Sequence, residues 1–212
     1  MILPRYAVYY IPPADHPLTR AAAQWIGRSP FAVEPRSYGF HATLKAPFRL
    51  KENFGVEDLE EAIRRIARTS TPCRIGPLKI GMLKDFFALL PVGTIPGVHS
   101  TAARIVQELD GFRAPLFESE LQRRLRIPLD AVERAYLGDW GYPYVLDRFR
   151  FHMTLTDPVE PDNRPSVLAE LEEIFAPFLE EDYYLDTLSL FVQAFPQADF
   201  RVRSQFPCGE RI

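Results

Sequence analysis

The chain has 212 residues, 47% of them hydrophobic and 25% charged, with 25 basic and 28 acidic side chains. That suits one domain, or two small lobes sharing a core, and excludes a disordered chain; two cysteines far apart in sequence, Cys73 and Cys208, exclude a disulfide scaffold. A net charge of −3 argues against duplex DNA as a partner, no apolar run reaches the ~18 residues of a membrane span, and residues 1–5 lack the form of a secretory signal, so the expectation is a cytoplasmic protein.

In chain order, 5–11 is aromatic and β-branched and stops at Pro12-Pro13, which predicts a strand. Residues 17–28 predict a helix, with Leu18, Ala22, Trp25 and Ile26 as its apolar stripe. The segment 38–50 reads as extended, and 56–69 as a helix with Glu57 and Asp58 in its first turn. Strands follow over 73–83 and 86–92 around a Lys84-Asp85 turn, then a helix over 100–109. Residues 111–147, rich in Arg, Pro and aromatics, predict short helices near 118–126 and 130–137 and a loop at 140–144. A strand over 148–156, a helix over 165–178 and strands over 184–195 and 200–206 complete the chain. No low-complexity linker divides it, so a single bilobal domain over 1–212 is expected, with 111–147 inserted between the lobes.

Four histidines are few enough for any pattern among them to be informative. Phe40-His41-Ala42-Thr43-Leu44-Lys45-Ala46-Pro47 and Phe151-His152-Met153-Thr154-Leu155-Thr156-Asp157-Pro158 share F-H-x-T-L-x-x-P. Each copy leads into a helix and then a strand pair, and Pro72 follows His41 at the distance at which Tyr183 follows His152. This predicts a duplicated lobe with a pseudo-twofold axis. In a regular strand His41, Thr43 and Lys45 share one face, as do His152, Thr154 and Thr156; burying such a set unpaired would cost a few kcal/mol per group, so it should face a cleft. Two imidazoles and two hydroxyls meeting there fit phosphodiester chemistry. One neutral His takes a proton from the attacking water or hydroxyl, and a protonated one gives a proton to the leaving oxygen. The threonines donate to the non-bridging phosphate oxygens.

The pattern resembles the two-histidine (2H) phosphoesterase superfamily, whose signature is two H-x-[TS]-x motifs. The strings around Tyr38-Gly39-Phe40-His41 and Trp140-Gly141-Tyr142-Pro143-Tyr144 resemble its bacterial branch linked by name to phosphonate metabolism (DUF1045-like). The resemblance implies an α/β (α+β) fold of two pseudo-symmetric lobes, each an antiparallel sheet with outer helices, around a central cleft. It implies metal-independent activity without a cofactor, with His41 and His152 catalytic and Thr43 and Thr154 holding phosphate. Substrates so implied are a small phosphorylated sugar or nucleotide carrying a cyclic phosphate, or an RNA 2′,3′-cyclic end. Either His could be the base, with the other as acid.

Other residues carry weaker expectations. Lys45 could meet phosphate or be a solvated strand end. Tyr38, Tyr142 and Tyr144 could stack a base or sugar, Trp140 reads as loop packing, and Arg148 and Arg150 would share the His152 face of a regular strand, where one could reach a substrate anion. His16 reads as a turn residue at a helix start, and His99 as structural beside a Ser100 N-cap. Metal-hydrolase spacings such as H-E-x-x-H or C-x-x-C are absent, as are the G-x-S-x-G elbow and the G-x-x-x-x-G-K-[ST] loop. A non-catalytic nucleotide or phosphosugar sensor remains the binding alternative, although pure binding does not need two titrating groups.

Overall fold

A computed structural model describes residues 3–209. The chain runs β1 (Arg5–Tyr10), α1 (Pro17–Arg28), α2 (Val33–Tyr38), β2 (Ala42–Phe48), α3 (Val56–Arg68), β3 (Cys73–Gly76), β4 (Leu78–Leu83), β5 (Phe86–Pro91) and α4 (Pro96–Glu108). It continues through α5 (Glu118–Leu125), α6 (Ala131–Trp140), β6 (Met153–Thr154), α7 (Arg164–Leu179), β7 (Tyr183–Leu185), β8 (Thr187–Gln193) and β9 (Arg201–Pro207).

Seven strands form an antiparallel sheet in the order β4-β5-β6-β2-β1-β8-β9, and β3 pairs with β7 in a separate ribbon. The two motif strands, β2 and β6, are neighbours at the centre, joined at the pair Ala42–Met153. Corresponding elements of the two copies therefore sit side by side: β2 with β6, and β3 with β7. The two copies share one seven-stranded sheet rather than holding one each. The lobes are halves of a continuous sheet meeting at the two-residue strand β6.

One sheet face is hydrophobic. Val8, Tyr10, Ala42, Leu44, Leu89 and Met153 pack there against Trp25 of α1, Ile63 of α3, Ile105 of α4 and Leu171 of α7. Their burial is the main source of stability, at roughly 25 cal/mol per Å² of apolar surface removed from water. The Trp25 indole N–H also donates to the Leu155 carbonyl at 2.8 Å, tying α1 to the second motif. The opposite face carries a small aromatic cluster of Ala7, Tyr9 and Phe191, with Ile11 and Phe200 against it.

Several elements differ from their sequence reading. The 73–83 strand splits at Gly76-Pro77, where Gly76 has φ +76° and proline lacks a ladder N–H. The 184–195 strand likewise splits at Asp186 into β7 and β8. Helix α2 lies where no helix was expected, and its first amides, those of Val33 and Glu34, donate to the Asp157 carboxylate, a long-range cap. Helix α4 starts at Pro96 rather than at a Ser100 cap, because proline at the first helical position costs no hydrogen bond. His99 lies inside that helix, edge-on to Phe149. His16 does cap α1, its Nδ1 accepting from the Leu18 N–H at 3.1 Å.

Candidate active site

The motif strands carry the same irregularity at the same place. On β2, Thr43 pairs with Tyr9 but Lys45 pairs with Val8, so two residues of one strand oppose one step of the other. On the second copy, the N–H groups of Leu155 and Thr156 both donate to the Phe87 carbonyl, at 2.9 and 3.3 Å. These are β-bulges, and an extra residue reverses which face the following side chains take. His41 and Thr43 therefore stay on the cleft face, while Lys45 turns to the core side.

Lys45 is 3% exposed and donates from Nζ to the Val106 carbonyl at 3.1 Å, with Asp110 at 3.5 Å. Burial lowers its pKa to about 8 against the raising effect of Asp110. Thr156 is buried as well, its hydroxyl accepting from the Phe87 N–H at 2.9 Å. The expectation that Lys45 faces phosphate is corrected by this bulge, and so is the placing of Thr156 on the His152 face. Arg148 is also corrected. The expected strand over 148–156 shrinks to β6, Leu146–Arg148 is a 3-10 turn, and Arg148 pairs with Asp130 and Asp147 at 3.3 and 3.2 Å.

The two histidines share a mode of support. His41 Nδ1 lies 3.1 Å from the Gly39 carbonyl, and His152 Nδ1 lies 2.7 Å from the Arg150 carbonyl, in each case two residues back. A carbonyl only accepts, so each Nδ1 carries the hydrogen and each Nε2 of a neutral ring presents its lone pair. His41 Nε2 lies 3.3 Å from the Thr43 hydroxyl, which can donate to it. Gly39 makes the first support possible: its φ of +71° and ψ of −178° are glycine conformations, and they aim its carbonyl at the ring.

The environments differ. His41 is 9% exposed, stacked on Tyr9 (3.7 Å between ring centres, 15° between planes) and edge-on to Tyr38 at 5.3 Å. His152 is more open, with Phe86 at 5.9 Å, and the residue paired with Thr154, as Tyr9 is paired with Thr43, is Ala88. Burial lowers the His41 pKa to about 4, helped by the nearby His152 and opposed by the Gly39 and Tyr38 backbone. His152 is lowered too, by burial first and then by the charge of Arg150, whose side chain is exposed beside it. Burial raises the Tyr38 phenol, and Glu34 and Asp157 add to it.

A histidine held below its ordinary 6.5 binds a proton more readily once unfolded. Stability should therefore be full above pH 6.5 and fall as pH drops from 6.5 toward about 4, by at most ~3 kcal/mol for His41 alone. Denaturant midpoints measured across that window should decline in the wild type and decline less in His41→Gln. Parallel curves would contradict the buried, neutral assignment.

Tyr144 sits on the loop after α6 and accepts from Lys84 Nζ at 3.2 Å, so it reaches the β4–β5 turn that precedes Phe86. Tyr142 meets Tyr144 edge-on at 5.6 Å. Trp140 closes α6 instead of starting a loop. Sequence reasoning passed over Tyr9, Phe86 and Phe191; the alternation of β1 marks Tyr9 as one face of a strand, but not that this face meets His41. Among the described residues no three His, Cys, Asp or Glu side chains group as metal ligands, and no helix is long and apolar enough to cross a membrane.

The profile of the family described as "Protein of unknown function (DUF1045)" matches residues 43–201. A ribose 1,5-bisphosphate phosphokinase PhnN of Janthinobacterium sp. (strain Marseille) is 35% identical over 98% of this chain and 52% of its own length. Its namesake from Laribacter hongkongensis (strain HLHK9) is 31% identical, over 93% of this chain and 50% of its own. The chain thus spans about half the length of the curated relatives it matches. Among solved structures, E. coli LigT complexed with 3′-AMP superposes with a TM-score of 0.52 at 12% identity, over 98% of this chain and 99% of that one. LigT complexed with NADP+ gives 0.51 at 11% identity, over 99% and 100%. At such identities the likeness is one of fold. Through its family profile the chain belongs to the DUF1045 family, and it is built on the fold of the LigT-type 2H phosphoesterases.

Proposed function

We propose that this chain is a metal-independent cyclic phosphodiesterase. It would open a small 2′,3′-cyclic phosphate, or a ribose or nucleotide cyclic phosphate, to a phosphomonoester. The observation that carries this reading is the matched support of the two imidazoles, each with Nδ1 held by a carbonyl two residues back, which leaves the Nε2 lone pair of a neutral ring as the proton acceptor, with the Thr43 hydroxyl 3.3 Å from that of His41. Thr43 and Thr154 stand on the same cleft face, paired with Tyr9 and Ala88.

Water attacks phosphorus while one P–O bond of the ring breaks. His41, held neutral by burial, takes the proton from water at Nε2. His152, the more open of the two, gives a proton to the leaving oxygen. Its protonation is favoured once the phosphate anion lies beside it. The threonine hydroxyls and Arg150 hold the non-bridging oxygens, where negative charge accumulates. Tyr38 braces the His41 ring at its edge, and Tyr144, its hydroxyl held by Lys84, would stack the sugar or base. The phosphokinase named in the relatives is not transferred, since this sequence has no G-x-x-x-x-G-K-[ST] loop. Their substrate name does support a sugar phosphate, and thereby a link to phosphonate metabolism.

The test is a screen with chelator present, offering nucleoside 2′,3′-cyclic phosphates, ribose cyclic phosphates and oligonucleotides ending in a cyclic phosphate. Turnover of a small cyclic phosphate with a bell-shaped pH profile is expected. Chelator-sensitive activity would replace this reading with a metal hydrolase, and tight binding without turnover would make the protein a sensor. Preference for the oligonucleotides would make it an RNA-end enzyme.

A further inference from the structure

Beyond Tyr9, the ring under His41, lies a group of arginines whose common acid is already paired elsewhere. On β1, Arg5, Ala7 and Tyr9 alternate onto the cleft face, opposite Gln193, Phe191 and Ser189 of β8. Tyr9 carries the His41 ring; beyond it Phe200 lies 6.2 Å away, and the Arg5 guanidinium lies 5.7 Å from the Phe200 ring. Helix α5, from the inserted segment, supplies Arg123 and Arg124. The Arg124 guanidinium lies 5.4 Å from the ring of Tyr142, whose hydroxyl is near enough to Tyr9 to influence it.

These cations act on one another. Burial lowers the Arg5 pKa, and Arg123 adds to the lowering. Burial likewise lowers Arg124, with Arg123 and Arg5 contributing. The acid acting on both, Glu120, is already engaged: Arg49 donates to its two oxygens at 2.9 and 2.7 Å, and the Phe117 N–H donates at 3.2 Å. Among the described residues, Arg5 has only the neutral Gln193 amide oxygen at 2.7 Å, and the Arg124 Nε is buried without a partner. A hollow of about 470 Å³ opens between Arg5, Arg123, Phe117 and the Arg49–Glu120 pair. Half-buried guanidinium groups repel one another unless an anion joins them, and their planar forks match phosphate oxygens.

We propose that Arg5, Arg123 and Arg124 form a second anion subsite, which takes a phosphoryl group other than the one being cleaved. Resting on the phosphodiesterase reading, this makes the substrate a sugar cyclic phosphate bearing a second phosphate, in preference to a nucleoside 2′,3′-cyclic phosphate without one. The Cα atoms of Tyr9 and Arg5 are ~13 Å apart along the strand, and the long arginine stem shortens that gap toward the span of a pentose with phosphates at both ends.

The experiment titrates ribose 5-phosphate calorimetrically into the wild type, the His41→Ala/His152→Ala double variant, Arg123→Glu, Arg124→Gln and Arg124→Lys. Wild type and the double His variant should bind alike. Arg123→Glu, at an exposed position where folding is not in question, and Arg124→Gln should bind at least tenfold more weakly, with Arg124→Lys in between. In parallel, turnover of a ribose cyclic phosphate should fall at least tenfold in kcat/KM when its 5-phosphate is omitted. No saturable binding to wild type, equal binding by the arginine variants, or indifference to the 5-phosphate would overturn the subsite. If neither cyclic phosphate is hydrolysed while the binding pattern holds, it is the phosphodiesterase reading that falls.

Discussion

His41→Ala and His152→Ala are each expected to lower kcat for cyclic phosphate hydrolysis by about 10²–10⁴-fold, the usual worth of a positioned acid or base. KM should change much less for His41→Ala, because a neutral imidazole is not needed to hold the anion in the ground state, whereas loss of the protonated His152 should raise KM somewhat. The losses should not add: a proton must be removed from water and another delivered to the leaving oxygen in the same displacement, so the double variant should fall little below the worse single one. The single variants should differ in pH dependence. Removing His41 should abolish the acidic limb of the bell, and removing His152 the basic limb. His41 is also a packed ring on Tyr9, so its alanine variant should lose some stability, which a denaturant curve separates from lost chemistry. If both single variants kept wild-type turnover, the two-histidine site would be wrong.

Trp25→Ala should be the most damaging core substitution, costing about 3–5 kcal/mol in denaturant unfolding. The indole is 1% exposed in the core between α1 and the second motif, and its loss leaves a large cavity. It also leaves the buried Leu155 carbonyl without its Nε1 donor. Trp25→Phe, which keeps most of the volume but not that hydrogen bond, should cost roughly 1–3 kcal/mol, the price of an unsatisfied buried acceptor. Because Leu155 follows Thr154 at the bulge, Trp25→Phe should also reduce kcat while leaving the protein folded at 25 °C. A loss below about 1 kcal/mol for Trp25→Ala would mean that α1 is not anchored through this contact.

The sequence by itself determined the elements whose signals are local. The stripes of α1 and α3 follow from apolar periodicity, and the pairing of β4 with β5 follows from a short turn between two apolar runs. The repeat was legible for a different reason: duplicated residues at matched spacing can be compared without knowing where they lie in space. That singled out His41, Thr43, His152 and Thr154.

What only the tertiary structure decided depends on groups far apart in the chain. A bulge shows up only against its partner strand, so Lys45 and Thr156 could be assigned to the cleft by alternation and yet turn inward. The cap of α2 is Asp157, more than a hundred residues away, and the ring beneath His41 comes from β1. The inserted segment carried composition but no periodicity to say that Arg124 would lie against the ring of Tyr142. Local propensity is set by neighbours in sequence, whereas face, burial and charge balance are set by neighbours in space. The sequence could therefore single out the paired motif residues, and folding settled what surrounds them.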